Sequence, residues 1–171
     1  LGGRRGIFSR YRLIEESETM ARVTYKIAAG GHAETAARTV ISARRHQFII
    51  DEPRERHGDD LGPTPLESLV GSFIGCTNVI ASRIATEMRI ELIDMCIGVE
   101  AEVDGAILDG ADSKIAFPTL HLKVSVASNG TPEQIEQLRI QLAKRCPISV
   151  LFRQSGTNIV EDWSIKEICA E

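Results

Sequence analysis

Two cysteines in this 171-residue chain, Cys76 and Cys146, sit in surroundings that could do chemistry. Only a thiolate is a strong nucleophile, and a thiolate needs positive potential close by. Cys146 lies in Arg145-Cys146-Pro147-Ile148-Ser149. Pro147 both ends one helix and suits the first position of the next, which places Cys146 at an N-cap. There the free N–H groups, the helix dipole and Arg145 are expected to lower its pKa. Cys76 falls in the third turn of a long apolar stretch, where the dipole of its own helix gives no help. Its cation has to come from elsewhere, and Arg44-Arg45-His46 offers one. A plainer reading stands beside this one. Free cysteine is among the most buried residue types, and a core cysteine commonly acts as a small hydrophobe. Glu67 is most simply a capping residue. Cys96 lies among carboxylates, which raise a thiol pKa. Cys169 is near the tail, and His32, His46, His57 and His121 are scattered.

The element that must hold Cys76 runs from about Gly62 to Glu87. Thr64 is an N-cap, Pro65 fits the first helical position, and Glu67 completes a capping box three residues after Thr64. Leu66, Leu69, Val70, Phe73, Ile74, Ile80, Ile84 and Met88 make it apolar on most of its surface, the mark of a buried helix. Gly71, Ser72 and Gly75 beside Cys76 would let another helix approach closely. The element that holds Cys146 begins at Thr131, another N-cap, with Pro132 at the first position and Gln134 closing a second box. Ile135, Leu138 and Leu142 form its apolar face, and Lys144 and Arg145 suit its last turn.

Strands fill the remainder. Val23, Tyr25 and Ile27 alternate with polar residues as a half-buried strand, and Gly30-Gly31 reads as a turn. A second strand is expected over roughly 34–42 and a third over 44–50, ended by Asp51-Glu52-Pro53 and a charged loop. Leu92–Asp104 alternates, with Ile93, Met95, Ile97, Val99, Ala101 and Val103 on one face. Leu120, Leu122, Val124 and Val126 answer it across an antiparallel hairpin. A last strand near 158–165 carries Trp163, the only tryptophan. The order is β-β-β-α-β-β-α-α-β, in one domain from Met20 onward. Residues 1–19, with Arg4, Arg5, Arg10 and Arg12 before Glu15, Glu16 and Glu18, read either as an appendage, with Met20 a natural start, or equally as a short helix docking on the body.

Composition narrows the function. A net charge of -4 with no basic stripe gives no reason to expect a nucleic-acid partner. Four cysteines without a CxxC match neither a metal site nor a secreted disulfide framework. No uninterrupted apolar run reaches the roughly 18 residues of a membrane span, so no membrane partner is expected. The expectation is a cytoplasmic protein with reduced thiols.

Taken together, Gly62-Pro63-Thr64-Pro65-Leu66-Glu67-Ser68-Leu69 with Cys76-Thr77, the Arg145-Cys146-Pro147-Ile148-Ser149 motif and the element order resemble the OsmC/Ohr family of bacterial stress and organic hydroperoxide resistance proteins. The resemblance runs from about Met20 to the end. It implies an OsmC-like α+β fold, antiparallel sheets around a long central helix in an intertwined homodimer. It further implies a thiol peroxidase acting on organic or small hydroperoxides. Cys76 attacks the peroxide and becomes a sulfenic acid, Cys146 condenses with it to a disulfide, and an external dithiol, a lipoylated protein in one branch, reduces the pair. No bound cofactor is implied. Family peroxidases pair a Glu after the motif proline with an Arg near a Gly-Gly turn. Here Leu66 and His32 occupy those places, and Glu67 points about 100° away around the helix. Arg44-Arg45-His46 before Asp51-Glu52-Pro53 is similar to a less-characterised OsmC-like branch, and on that likeness Arg44, with Arg45 second, is expected to supply the cation for Cys76. The alternative is a dimeric stress protein that binds a small ligand without catalysis, its cysteines serving only to pack.

Overall fold

The architecture is set by one long helix and the two sheets on either side of it in sequence. A computed structural model describes residues 24–112 and 114–166. The appendage at 1–19, Val23 and Cys169 lie outside the described residues. In order, β1 (Gly30–Ala33), β2 (Thr39–Ala43) and β3 (His46–Ile50) precede α1 (Pro65–Met88). Then come β4 (Leu92–Ala101), β5 (Thr119–Ser128), α2 (Pro132–Arg145), α3 (Pro147–Gln154) and β6 (Asn158–Ile165). The fold is α+β and follows the expected order.

Both capping boxes form as the sequence requires. Thr64 accepts from the Glu67 N–H while Glu67 accepts from the Thr64 N–H, and Thr131 and Gln134 repeat the arrangement at α2. The apolar faces meet in one core. Phe73 and Ile84 of α1, Leu120, Leu122, Val124 and Val126 of β5, Ile135, Leu138 and Leu142 of α2, and Phe152 of α3 are all buried. Phe152 packs between Phe73 and Phe117, with ring centroids 5.7 and 5.4 Å away. α1 is long and apolar enough to cross a bilayer by length and composition alone. Here it packs on β4, α2 and α3 instead, as the central helix of the domain.

Three strand details differ from the sequence reading. β5 pairs antiparallel with β4 but parallel with β6, so this sheet is mixed rather than wholly antiparallel. The α2–α3 crossover returns the chain to the same end of the sheet before β6 begins, which is how a parallel pair is made. A bulge between Leu92 and Asp94 shifts the register at the start of β4. Leu92 therefore packs on the core and Ile93 is exposed, the reverse of strict alternation. In the amino-terminal sheet, Gly30-Gly31 lies inside β1 rather than in a turn, and Tyr25 and Ile27 precede the strand, both exposed. The turn falls later, at Arg44-Arg45 between β2 and β3, with Arg44 in the left-handed region at φ 57°. Alternation alone did not place β1, because among the described residues the core buries neither face of this small sheet.

The loop from β3 to α1 is built around one carboxylate. Asp51 is fully buried and accepts from the N–H groups of Glu52, Asp59 and Leu61. Its own N–H donates to the Pro63 carbonyl at 3.2 Å. Gly62 must be glycine, since a Cβ there would lie 2.3 Å from the Ile49 carbonyl oxygen. This close approach fixes where α1 starts, and with it the position of Cys76 three turns along.

Candidate active site

Cys76 and Cys146, 70 residues apart in sequence, meet in space with their sulfurs 2.9 Å apart. Both are free thiols. Cys76 projects from the third turn of α1 and is half-buried; Cys146 is fully buried at the corner between α2 and α3. The corner is local in origin. α2 ends because Pro147 follows, and Cys146 takes an extended backbone, closing α2 and capping α3 at once. Its sulfur accepts from the Ser149 N–H at 3.5 Å. The N-cap position is therefore as expected, but the effect on acidity is the opposite. Burial pushes the Cys146 thiol up to about 11, helped by its contact with Cys76 and only partly offset by the Ser149 and Ile148 N–H groups. Arg145 does not counter this, because its guanidinium forks onto Glu87 of α1 at 2.6 and 2.8 Å. Glu87 was missed by the sequence reading; no local signal links two helix ends 58 positions apart.

The other candidates do not converge on the thiols within the chain. Glu67 is closed into its capping box, with its carboxylate 2.8 Å from the Thr64 nitrogen. The Thr64 N–H and hydroxyl hold that carboxyl below the usual carboxylate range. Nine residues of helix separate it from Cys76, about 13 Å along the axis. Arg44 occupies the exposed turn of a sheet that packs chiefly on itself, while α1 packs on β4, α2 and α3. Among the described residues the Cys76 sulfur has its hydrogen bond from Cys146, and Arg44, with Arg45 and His46 beside it, is exposed at that turn. Cys96, set aside for its acidic neighbours, is exposed and has the Lys166 ammonium 3.3 Å from its sulfur, with Lys166 also paired to Asp94.

Two further features lie on the helices that carry the pair. Behind Cys146, Ser149 is buried and accepts from Arg153, which is itself paired to Glu161. Along α1, an apolar groove of about 360 Å³ runs between Leu66, Val70 and Ile74 on the helix and Val99, Ala101 and Phe117 opposite. Leu66, in the place where family peroxidases carry Glu, is one of its walls. Among the described residues no group of three or more His, Cys, Asp or Glu side chains is arranged to hold a metal ion.

A family model described as OsmC-like protein matches residues 57–161. The chain belongs to the OsmC-like family. Solved structures agree on the fold. An OsmC-like protein from Mycoplasma pneumoniae superposes with a TM-score of 0.69 at 15% identity, covering 85% of this chain and 99% of that one. An organic hydroperoxide resistance protein OsmC from Legionella pneumophila gives 0.57 at 18% identity, covering 85% and 99%. The organic hydroperoxide resistance protein OhrB of Bacillus subtilis gives 0.55 at 18% identity, covering 83% and 98%. Among curated proteins, none matches the chain. At these identities the OsmC-like fold is what is shared, and the chemistry has to be argued from the thiols.

Proposed function

We propose that this OsmC-like chain is a thiol-dependent peroxidase that reduces organic or small hydroperoxides by a two-cysteine cycle. The observation that carries this is the 2.9 Å separation of the Cys76 and Cys146 sulfurs. Cys76, the half-buried member, attacks the O–O bond. A sulfur–oxygen bond forms, the O–O bond breaks, and the alcohol leaves with a proton from water. Cys146 then displaces hydroxyl from the Cys76 sulfenic acid to give a disulfide. An external dithiol, of which a lipoylated protein is one candidate, reduces it by exchange in a cytoplasmic setting. Sulfur carries both electrons, so the cycle calls for no bound cofactor. The apolar groove beside Cys76's helix suits the organic part of a hydroperoxide.

The working unit in this reading is a homodimer. The support is the open face of α1: Gly71, Ser72 and Gly75 are exposed, a Cβ at either glycine would meet nothing within 4 Å, and Val79 is exposed further along. A helix this apolar leaves such a face bare only if a second surface covers it.

The same groove favours a second reading, a module that binds an apolar ligand with the cysteines as packing. One experiment separates them. Reduced protein is treated with stoichiometric cumene hydroperoxide, and free thiols are counted and mapped. The peroxidase loses two thiols per chain, as a Cys76–Cys146 disulfide. Cys76→Ser stops peroxide consumption, and Cys146→Ser leaves a sulfenic acid on Cys76 that dimedone traps. If both thiols survive, or Cys76→Ser consumes peroxide at the wild-type rate, the binding-module reading stands instead.

A further inference from the structure

A thiolate has to be held by something, and among the described residues no cation is hydrogen-bonded to the Cys76 sulfur. On α1, Glu87 takes both Arg83 and Arg145. On α3, Arg153 stands behind Ser149 and pairs with Glu161. On α2, Lys144 is exposed and Arg139 pairs with Glu136 and Glu161. β4 packs Met95, Ile97, Val99 and Ala101 against the core and leaves Asp94, Cys96 and Glu100 exposed. Glu67 is occupied by Thr64. Among the described residues, the hydrogen-bond partner of the Cys76 sulfur is Cys146, with Cys146 as the donor at 2.9 Å.

We propose that Cys146 itself holds the Cys76 thiolate: its S–H donates to the Cys76 sulfur, and the two thiols share one proton, kept on Cys146. A hydrogen bond to a charged form favours that form. The contact is reciprocal, and burial decides its direction. Fully buried Cys146 cannot afford an anion, so its thiol stands near 11, while half-buried Cys76 keeps access to water. The dithiol titrates as a pair, not as two independent groups. This stands, within one chain, in place of the Glu–Arg pair whose positions Leu66 and His32 occupy.

The arrangement rests on the peroxidase reading only for what happens next. Once Cys76 carries a hydroxyl, the shared proton already lies between the two sulfurs. Cys146 sulfur attacks Cys76 sulfur, the S–S bond forms, the Cys76 S–O bond breaks, and the hydroxyl leaves as water with the Cys146 proton. Atoms and charge balance without another acid.

Two measurements without peroxide test the proposal. In reduced protein with Cys96 and Cys169 replaced by serine, ultraviolet thiolate absorbance is followed against pH. The expected result is two separate steps, with the second thiolate appearing only as pH nears 11. Two thiolates rising together near 8.5 would overturn the proposal. In the same background, Cys76 is alkylated with iodoacetamide. Cys146→Ser keeps a donor and stays within about threefold of the parent at pH 7, whereas Cys146→Ala slows about tenfold with its pH midpoint moved up. Equal rates for the two variants overturn it. If Cys146→Ala does not fold, Cys146→Val, closer in volume and equally without a donor, takes its place in the alkylation comparison. A protein inert to peroxide but with the one-proton titration would sink the peroxidase reading and leave this one standing.

Discussion

The body of the molecule and its amino-terminal sheet are both three-stranded structures, yet they are stabilised in different ways. In the body, the β4–β5–β6 sheet packs on α1 through β4 and on α3 through β6, and every inward residue of β5 is buried. In the small sheet, β1 is exposed throughout, β2 is half-buried, and among the described residues no α-helix packs broadly on it. Phe73 on α1 is 1% exposed and Phe48 on β3 is 47% exposed. The same residue type thus contributes to a core in one place and waits for a surface in the other. The lesson is that the described body buries its own core, while among the described residues the small sheet leaves most of its surface uncovered.

The largest test of that contrast is a pair of truncations. Phe73→Ala removes a ring packed on Phe152 and should cost about 3–5 kcal/mol, lowering Tm by roughly 10 °C. Phe48→Ala at low protein concentration should cost less than about 1 kcal/mol, as for an exposed side chain. If a second copy covers the sheet, the cost of Phe48→Ala grows as protein concentration rises, because the wild type then gains from association. A flat concentration dependence would break the comparison and leave the small sheet as a free surface.

A middle-sized effect is expected at the joint between the two regions. Asp51 is fully buried, and burial alone would raise its pKa; the N–H groups of Leu61, Glu52 and Asp59, with Arg38, more than offset this and hold it below 3.8. A lowered carboxyl contributes stability that is fully present above the unfolded value and is lost as pH falls through the folded one. Acid should therefore loosen residues 51–61 first, below about pH 4, seen as faster amide exchange at Asp59 and Leu61 before the body exchanges. Asp51→Asn should reproduce that opening at neutral pH and remove most of the acid dependence. Equal protection in mutant and wild type would show that Gly58 and Gly62, which approach Glu52 and Ile49 closely, fix the loop without the carboxylate.

How much of this was legible in the sequence follows the same division. The two capping boxes, the β5 alternation and the Cys-Pro corner are local patterns, and each formed where its residues demanded. The Ile93 bulge, the parallel pairing of β6 and the placement of β1 depend on what lies opposite, which alternation cannot state. At the site, Cys76 and Cys146 were found by motif and meet as expected, and Glu67 proved to be the capping residue that its spacing suggested. The acidity of Cys146 was misjudged because N-cap position is local and burial is not. Arg145 was misjudged for the same reason: its partner, Glu87, belongs to another helix.

The smallest expected effect sharpens the comparison most, because it concerns the one residue proposed to join the small sheet to the thiols. Arg44 holds φ 57° at the β2–β3 turn, a conformation that costs a residue with a Cβ about 1 kcal/mol and glycine almost nothing. Arg44→Gly relieves that strain and removes the charge at once. If Cys146 alone holds the Cys76 thiolate, Tm rises by a degree or two and the pH midpoint for Cys76 alkylation does not move. A higher Tm together with slower alkylation would mean that the Arg44 guanidinium reaches Cys76 across a dimer interface. The two readouts separate because strain is a property of the turn within one chain. Activation from Arg44 would instead require the small sheet of one copy to lie over α1 of the other, and alkylation would then fall further as the protein is diluted.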